Sequence, residues 1–418
     1  MKIKNVNDIV AHRLCLGCGV CFFLCPEERI RLVDVQDDGI RPVVQPGGCS
    51  DCDICLKACP GIQVSAPYQT IKKEQSKGHL SKEWGAFDEI WEGYATNPEI
   101  RFKGSSGGIC TALSLYCLEH GIAGGVLHIG SDLEKPWKNK TYRSTTREEL
   151  IVRTGSRYSP ASPCDGLKRI EGSEDASIFI GKPCDVTGLQ MVQKLKPELA
   201  RKMALSIGFF CAGTPATKGT IDLLKLYNID YTLIHGLRYR GMGWPGMATA
   251  HFKDRDRDPF CLPYKYSWKF LQKYRPFRCF LCPDITSELA DISVGDPWYR
   301  EMGKGEIGRS LVLVRTENGR KIFQKALEQK YIAAEQVDPC LIYSSQKNLL
   351  EKRQAIWGRL VALKILGIPS PKFDGFYLFE NWLDLPLRAK FKSIFGTAKR
   401  IIQRNYFRPL DYSGYINQ

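Results

Sequence analysis

Two nearly identical cysteine runs near the start of the sequence constrain the fold more than any other feature. Each has the spacing C-x2-C-x2-C-x3-C-P, the first ending at Pro26 and the second at Pro60. In bacterial ferredoxins three thiolates of such a run bind one 4Fe-4S cluster, and the fourth binds the cluster of the other run. We therefore predict two clusters, the first held by Cys15, Cys18, Cys21 and Cys59 and the second by Cys49, Cys52, Cys55 and Cys25.

Zinc binding and disulfide bonding are the alternatives for so many thiols. A zinc site does not require two four-cysteine runs that each end in proline, and adjacent disulfides would not keep this spacing. The 17 cysteines and the absence of a recognisable signal peptide favour metal ligation in a reducing compartment. No stretch approaches the roughly 18 apolar residues of a membrane-spanning helix. We therefore expect a cytoplasmic protein.

The formal net charge of +15 raises the question of a nucleic-acid partner. Each bound 4Fe-4S cluster, with its four thiolates, carries about −2 and lowers this total. A nucleic-acid-binding protein needs a basic patch interleaved with aromatic residues on a recognisable module, and the body of the chain has none. We predict no nucleic-acid partner.

The sequence divides into four predicted segments. Residues 1–75 form a ferredoxin-like domain with two short strands between the cysteine runs. Residues 69–83 are polar and are interpreted as a linker. Residues 84–170 and 171–345 alternate predicted strands and helices, which favours an α/β domain in two parts. Residues 346–418 are predicted to be a helical, basic tail.

A glycine-serine turn in the second segment has the composition of an anion site. It follows a predicted strand and precedes a predicted helix that starts at Ile109, which is the strand–helix–strand pattern of a parallel sheet. Backbone N–H groups at a helix N-terminus bind anions, and glycines permit close approach. We predict a loop that contacts phosphate or flavin; the alternative is a serine N-cap beside a packing glycine. The loop consists of Gly104, Ser105, Ser106, Gly107 and Gly108.

Four further cysteines indicate a third metal site. Cys184 and Cys211 each follow a predicted strand, at the position where ligands bind in open α/β sheets. Cys279 and Cys282 form a C-x2-C knuckle. Four such thiolates fit a third 4Fe-4S cluster or a zinc ion. The remaining cysteines are expected to be buried free thiols: Cys110, Cys117, Cys164, Cys261 and Cys340.

Two other features have weaker chemical implications. Asp296 follows a predicted strand, where it could hold a ribityl chain or a water, or cap the next turn. The run from Gly241 to Gly246 matches G-x-G-x-x-G, but no helix follows it, so we reject it as a dinucleotide fingerprint while allowing that the loop touches a cofactor. No nucleophile–base pair is evident, and no catalytic residue is assigned.

A basic amphipathic helix is predicted within residues 386–408. No acidic residue occurs between Arg388 and Leu410. Such a helix suits an anionic membrane surface or an acidic partner, and the alternative is an ordinary helix docked on the body of the protein.

Five motifs in this order resemble the beta subunits of coenzyme F420-reducing hydrogenase and F420-dependent formate dehydrogenase. The resemblance covers roughly residues 85–345, with the ferredoxin unit in front as in several members of the family. The motifs are Ile100 to Gly108, Gly181 to Asp185, Phe210 to Pro215, Cys279 to Cys282 and Ala290 to Asp296.

The resemblance implies a fold of mixed α/β and α+β class: a two-cluster ferredoxin-like domain, an α/β FAD-binding domain and a C-terminal helical tail. It implies that Cys184, Cys211, Cys279 and Cys282 hold the third cluster. Lys182 would lie near the flavin ring. The residues implied to line FAD are Gly104 to Gly108 together with Gly155, Ser156, Arg157 and Tyr158.

Two functions are therefore expected. The first is a flavin-dependent iron–sulfur oxidoreductase with coenzyme F420, ferredoxin or a small organic molecule as redox partner, in some relatives within surface-polysaccharide gene sets. Flavin is expected because a hydride donor and a one-electron cluster need a carrier that handles both kinds of transfer. The second is a non-catalytic electron-transfer subunit that serves another oxidoreductase subunit. A cluster-bearing regulatory protein without flavin is a third hypothesis.

Overall fold

The structure, a computed structural model, describes residues 3–45, 49, 52–66, 78–301, 306–411 and 413–416. Its strands, numbered in chain order, are β1 (Ile30–Val35), β2 (Gly39–Val44), β3 (Gln63–Ser65), β4 (Glu89–Ala95), β5 (Gly125–Ser131), β6 (Asn139–Ser144), β7 (Ser177–Gly181), β8 (Met203–Phe209), β9 (Ile234–Arg238), β10 (Met247–Phe252), β11 (Phe260–Pro263), β12 (Ile292–Gly295), β13 (Ser310–Val314), β14 (Ile332–Gln336) and β15 (Lys372–Asp374).

The helices of the same residues are numbered in the same way. They are α1 (Val6–Ala11), α2 (Val20–Leu24), α3 (Ile54–Lys57), α4 (Gly78–Trp84), α5 (Pro98–Lys103), α6 (Ile109–Glu119), α7 (Arg147–Val152), α8 (Leu167–Glu171), α9 (Pro183–Leu195), α10 (Pro197–Arg201), α11 (Thr217–Leu226), α12 (Tyr264–Leu271), α13 (Phe277–Phe280), α14 (Glu317–Glu328), α15 (Leu341–Ser345), α16 (Lys347–Gln354), α17 (Ile356–Ile365), α18 (Leu378–Leu383), α19 (Leu387–Gln403) and α20 (Ser413–Ile416).

The N-terminal unit is built around the two cysteine runs. Each run contributes one short helix, α2 or α3, and the antiparallel hairpin β1–β2 lies between the runs in the chain, as predicted. A small apolar core that includes Ile9, Leu14 and Ile30 lies beneath the cysteines. So few apolar residues leave a domain of this size marginally stable, and the two predicted clusters would supply covalent cross-links between its loops.

An eight-stranded mixed sheet forms the centre of the molecule, in the order β14-β4-β13-β12-β8-β7-β5-β6. Successive residues of β7 alternate between the two faces: Ile178 and Ile180 pack in one apolar core, and Phe179 packs in another. Helices α6 and α14 cover the first face, and α9 with α2 of the ferredoxin unit covers the second. Burial on both faces explains why β7 and β13 are continuously apolar or small.

The directions of the strands bring several predicted site residues to one edge. Strands β12, β8, β7 and β5 are parallel neighbours, and β4 has the same direction because two antiparallel steps separate it from β12. Lys182, Cys211 and Asp296 each follow the carboxyl end of one of these strands. The predicted parallel arrangement is therefore present, although β4 and β5 are not adjacent.

A smaller antiparallel sheet, in the order β11-β10-β9, packs with α11 and α12 around its own apolar core. This unit stands beside the carboxyl edge of the large sheet. It supplies Arg240 from the end of β9 and the aromatic residues of α12 to the cavity described below.

The C-terminal segment returns to the ferredoxin unit. Strand β15 pairs in parallel with β3, with Phe373 opposite Val64, and the Leu410 amide donates to the Ala11 carbonyl at 2.9 Å. The predicted helical tail is thus folded onto the body of the protein and includes a strand.

The predicted polar linker is helical at its end. Residues 69–77 lie outside the described part of the chain, whereas α4 begins at Gly78 and buries Leu80 and Trp84 in a core shared with the sheet. These two apolar side chains anchor a helix whose sequence otherwise reads as a polar linker.

Within the described ranges, no helix combines the length and the apolar character that crossing a membrane requires.

Candidate functional site

The structure brings Cys15, Cys18 and Cys59 together, as the ferredoxin pattern predicts. Burial raises the pKa of the Cys18 thiol well above its usual value, and the neighbouring Cys59 and Cys15 thiols raise it further. The pKa of Cys59 is raised to about 12 by burial and by Cys15. Cys21 belongs to the same group, since Cys15 and Cys18 contribute to its raised pKa.

A second group contains the remaining four cysteines of the two runs. Burial and the Cys49 and Cys52 thiols raise the pKa of Cys55 to about 11. Burial raises the pKa of Cys49, and the thiol of Cys25, which comes from the other run, raises it further. Cys49 and Cys52 are exposed. The second group therefore reaches the protein surface at Cys49 and Cys52, although Cys55 is buried, as is Cys15 of the first group.

Cys184, Cys211, Cys279 and Cys282 line one cavity, to which Cys15 of the first group also contributes. The Gly213 amide donates to the Cys211 sulfur at 3.3 Å, and the Gly17 amide donates to the Cys15 sulfur at the same distance. Backbone N–H groups that donate to ligand sulfurs are among the features that set the potentials of iron–sulfur clusters.

These thiols line one cavity. Within the described part of the chain, no group of three or more His, Cys, Asp or Glu side chains has the geometry to hold a single metal ion. A cubane contains four iron atoms, so its four thiolate ligands stand apart around it. Four thiols around one cavity fit a 4Fe-4S cluster by donor type.

Arg278 lies between the first cysteine group and the third. Its side chain is 1% exposed, Nε donates to the Gly61 carbonyl at 3.2 Å, and Nη2 donates to the Pro60 carbonyl at 3.1 Å. Burial lowers the pKa of its guanidinium, and the nearby Cys282 and Cys279 thiols oppose that effect. Nη1 is buried without a hydrogen-bond partner among the described residues.

A larger cavity of about 800 Å³ lies at the carboxyl edge of the sheet, within the size range of cofactor sites. Nearly all of the predicted cofactor residues line it: Gly104, Ser105, Ser106, Gly108, Gly155, Ser156, Arg157, Tyr158, Lys182 and Asp296. Gly107 does not line the cavity, because it packs against the sheet. A Cβ at Gly107 would lie 2.5 Å from the Gly93 carbonyl oxygen, so only glycine fits there.

The N-terminus of α6 opens into this cavity without a side-chain cap. Gly108 is its N-cap, with φ +78°, and no side chain accepts from the first turn. The first residues of the helix, including Ile109 and Thr111, line the cavity. Free N–H groups at a helix N-terminus are suited to a phosphate.

The two glycine-serine turns are joined directly. The Ser156 amide donates to Ser105 Oγ at 2.7 Å. Arg238 Nη2 also bridges the turns by donating to the Lys103 and Thr154 carbonyls. In the sequence, the turn from Gly155 to Tyr158 gave no clear indication of a binding site. Its place in the cavity wall is evident only from its hydrogen bond to the first turn.

Arg157 has a structural role in the second turn. Its Nε donates to Asn139 Oδ1 at 2.7 Å, and its terminal nitrogens donate to the carbonyls of Pro136 and Leu237. These bonds hold the guanidinium against the protein at the wall of the cavity that Arg157 lines.

Asp296 forms a buried ion pair with Arg240. Arg240 Nη2 and Nη1 donate to its two carboxylate oxygens at 2.7 and 2.8 Å, and Trp244 Nε1 donates to Oδ1 at 2.8 Å. The carboxylate does not cap the following turn. The backbone carbonyl of Asp296 accepts from Ser345 and Gln346.

The aromatic part of the wall was not anticipated from the sequence. Tyr264 and Trp298 stack with ring centroids 5.7 Å apart, and Arg240 lies 4.5 Å above the Tyr264 ring. Trp268 and Pro245 also line the cavity. The only sequence signal for this wall was the glycine-rich loop from Gly241 to Gly246, which does contribute Pro245.

Residues 344–349 form a further part of the wall that was missed. They lie across the boundary predicted at residue 345, so the cavity is formed jointly by the central domain and the C-terminal segment.

Two of the other cysteines were also wrongly predicted to be buried. Cys261 lies on the edge strand β11 and Cys340 precedes α15, and both are exposed.

Lys182 and Cys211 line both cavities. Lys182 Nζ donates to the Asp185 carboxylate at 2.6 and 2.8 Å. Burial alone would lower the pKa of this ammonium, but Asp185 and the Cys184 thiol outweigh burial and raise it. A fixed positive charge therefore stands where the large cavity meets the third cysteine group.

Sequence comparisons match most of the chain to known families. Residues 14–61 match the 4Fe-4S dicluster domain. Two further matches are to the beta subunit of coenzyme F420 hydrogenase/dehydrogenase. Residues 90–168 match its N-terminal part, and residues 175–339 match its C-terminal part.

Individual relatives agree with these matches. The coenzyme F420 hydrogenase subunit beta of Methanosarcina barkeri is 30% identical over 62% of this chain and 87% of its own length. The corresponding protein of Methanothermobacter thermautotrophicus is 27% identical over 69% of this chain and 99% of its own length. The coenzyme F420-dependent sulfite reductase of Methanocaldococcus jannaschii is 25% identical over 78% of this chain, which spans only 48% of that protein.

One solved structure has the same fold. A chain of the F420-reducing [NiFe] hydrogenase complex from Methanosarcina barkeri aligns with a TM-score of 0.55 and 25% sequence identity. The alignment covers 69% of this chain and 97% of that chain.

Proposed function

Because the chain belongs to the coenzyme F420 hydrogenase/dehydrogenase beta-subunit family, we propose that it passes electrons between FAD and three 4Fe-4S clusters. One observation carries this proposal. The large cavity and the cavity of the third cysteine group share Lys182 and Cys211 in their walls. A flavin in the first cavity would therefore adjoin a cluster in the second.

Features of the large cavity support FAD as its cofactor. The uncapped N-terminus of α6 suits a pyrophosphate, and Ser105 and Ser106 add hydroxyl groups next to it. The stacked rings of Tyr264 and Trp298 suit an aromatic ring system. FAD supplies the conversion between hydride and single-electron transfer.

The three cysteine groups form a series that leads away from this cavity. The third group adjoins the cavity, Cys15 of the first group faces the third, and the second group reaches the surface at Cys49 and Cys52. We assign the buried clusters to internal electron transfer and the exposed second cluster to exchange with an outside redox protein.

The redox partner that we propose is coenzyme F420, with ferredoxin as the protein partner at the exposed cluster. The named relatives are F420-linked enzymes or subunits of them. The alternative is a non-catalytic electron-transfer subunit of a larger complex, and the hydrogenase complex that contains the similar chain supports it. A surface-polysaccharide role stays a prediction, since no residue of the cavity bears on it.

Anaerobic purification with measurement of iron, sulfide and flavin tests this proposal. We expect about twelve iron atoms, about twelve sulfides and one FAD per chain. A sample that releases no flavin on denaturation would exclude the proposed function and favour a regulatory protein. Reduction trials with reduced F420, NADPH and reduced ferredoxin then identify the donor, and a stoichiometric co-purifying protein would favour the electron-transfer alternative.

A matched pair of cysteine variants tests the third cluster. We expect Cys282→Ser to lower the iron content from about twelve to about eight atoms per chain. Cys340→Ser is the control, because Cys340 is exposed and lines neither cavity. Equal iron in both variants would contradict the third cluster.

A further inference from the structure

Helix α19 packs against the body by one face and leaves an apolar stripe uncovered. Ser393, Thr397 and Ile401 are buried, and the helix lies along α17. Its opposite side carries large apolar side chains that are mostly exposed: Leu387 (72%), Phe391 (58%), Phe395 (65%) and Ile402 (60%). With about 3.6 residues per turn, these four project from one side of the helix over roughly 20 Å.

Cations border this stripe and acids are absent from it. Arg388, Lys392 and Lys399 are exposed and follow the stripe along one flank. No acidic residue occurs from Arg388 to Leu410. An apolar row beside charges of one sign is the pattern of a helix that lies in the plane of an anionic lipid surface.

We propose that α19 is a docking surface for anionic membranes. Phe391 and Phe395, whose ring centroids are 6.1 Å apart, insert into the boundary between headgroups and acyl chains. Arg388, Lys392 and Lys399 contact the lipid phosphates. The helix does not enter further, because its opposite face is fixed to α17.

A protein partner explains these residues less well. To bind four apolar residues on a convex helix, a partner protein would need a matching groove with acidic residues along one flank only. A lipid surface needs no such complementary shape. The inference does not depend on FAD or on the redox partner, since none of these residues lines either cavity.

Vesicle co-sedimentation of the full-length holoprotein tests the inference. We expect the wild type to sediment with vesicles of equal parts phosphatidylcholine and phosphatidylglycerol, and to remain in solution with phosphatidylcholine alone. Phe391→Gln with Phe395→Gln is expected to weaken binding roughly tenfold or more, because two inserted rings are lost. Leu133→Gln is the matched control: Leu133 is 82% exposed and distant in sequence, and this variant is expected to bind like the wild type.

A charge variant separates the electrostatic contribution. Lys392→Gln with Lys399→Gln is expected to weaken binding severalfold at low salt and to differ little from the wild type at high salt. Unchanged iron content shows that each variant is folded. Wild-type protein that stays in solution with both vesicle types would overturn the proposal, as would equal binding to both compositions. The proposal would also be overturned if the wild type self-associates through this stripe and the variant with Phe391→Gln and Phe395→Gln does not.

Discussion

Arg278 Nη2 donates a hydrogen bond of 3.1 Å to the carbonyl oxygen of Pro60, the proline that ends the second cysteine run. Arg278 directly precedes Cys279 in the sequence, so this bond joins the third cysteine group to the first. The guanidinium is buried, and the charged groups that act on its pKa are cysteine thiols of the first and third groups. A buried cation therefore stands between two proposed clusters.

We expect Arg278→Met to lower the reduction potentials of the first and third clusters. Reduction adds a negative charge to a cluster, and a nearby buried cation stabilises the reduced form. Redox titration followed by electron paramagnetic resonance measures the potentials. The second cluster, at Cys49 and Cys52, is the internal reference and is expected to keep its potential.

Arg278→Lys is the control, because it retains the positive charge. We expect its potentials to lie closer to those of the wild type than those of Arg278→Met. Three unchanged potentials in Arg278→Met, with full iron content, would show that the cation has no influence on the clusters.

Asp296→Asn is expected to destabilise the protein by about 2–4 kcal/mol, because Arg240 would then be a buried cation with a neutral partner. Guanidinium unfolding under anaerobic conditions measures this loss. Glu328→Gln removes one partner of an exposed ion pair with Lys325, and we expect it to cost less than about 1 kcal/mol. Equal stability of the two variants would contradict the structural importance of the Arg240–Asp296 pair.

Gly108→Ala is expected to reduce the bound FAD per chain severalfold. Gly108 has φ +78°, and its new Cβ would lie 2.9 Å from the Ile100 carbonyl oxygen, so the N-terminus of α6 would have to shift. Flavin released on denaturation measures the occupancy. Gly121→Ala is the matched control, with a similar φ of +65° but open space around the position. We expect it to keep full flavin, and a similar loss in both variants would indicate general strain.

The stability of the protein is expected to fall on acidification because of His128. Burial, and then the Arg153 charge, lower the pKa of His128 from 6.5 to about 4, and Nε2 lies 2.8 Å from Ser144 Oγ. Between these values the unfolded chain binds a proton that the folded chain does not, so stability decreases as the pH falls. The decrease from pH 7 to pH 5 amounts to about 2 kcal/mol from this group.

Comparison of the wild type with His128→Gln isolates this effect. Glutamine can still hydrogen-bond to Ser144 but does not titrate. Urea unfolding at both pH values should therefore show a smaller acid-induced loss in the variant. An identical loss in the two proteins would assign the pH dependence to other groups.

Local sequence patterns were sufficient for the parts of the site that depend on spacing. The cysteine runs bring together groups that include Cys15 with Cys59 and Cys25 with Cys49, as expected. The loop from Gly104 to Gly108 and the cysteines after β7 and β8 were recognisable from the sequence. The end of a strand and the start of a helix are each indicated by residue types within a few positions of the boundary.

Features that depend on distant pairing were not predictable in this way. Strand β4 lies between β13 and β14, which come more than 200 residues later in the chain, and nothing local specifies that order. The wall formed by Tyr264 and Trp298 depends on the packing of the small sheet against the large one. Arg157 was predicted to line FAD, and only the tertiary structure shows that carbonyls and Asn139 occupy its donors.

The pairing of β15 with β3 has a consequence for how the protein is made. Residues 372–374 complete the strand pair that begins at Gln63, and Leu410 holds Ala11. The segment around Gln63 therefore reaches its final pairing only after residues 372–374 have been synthesised.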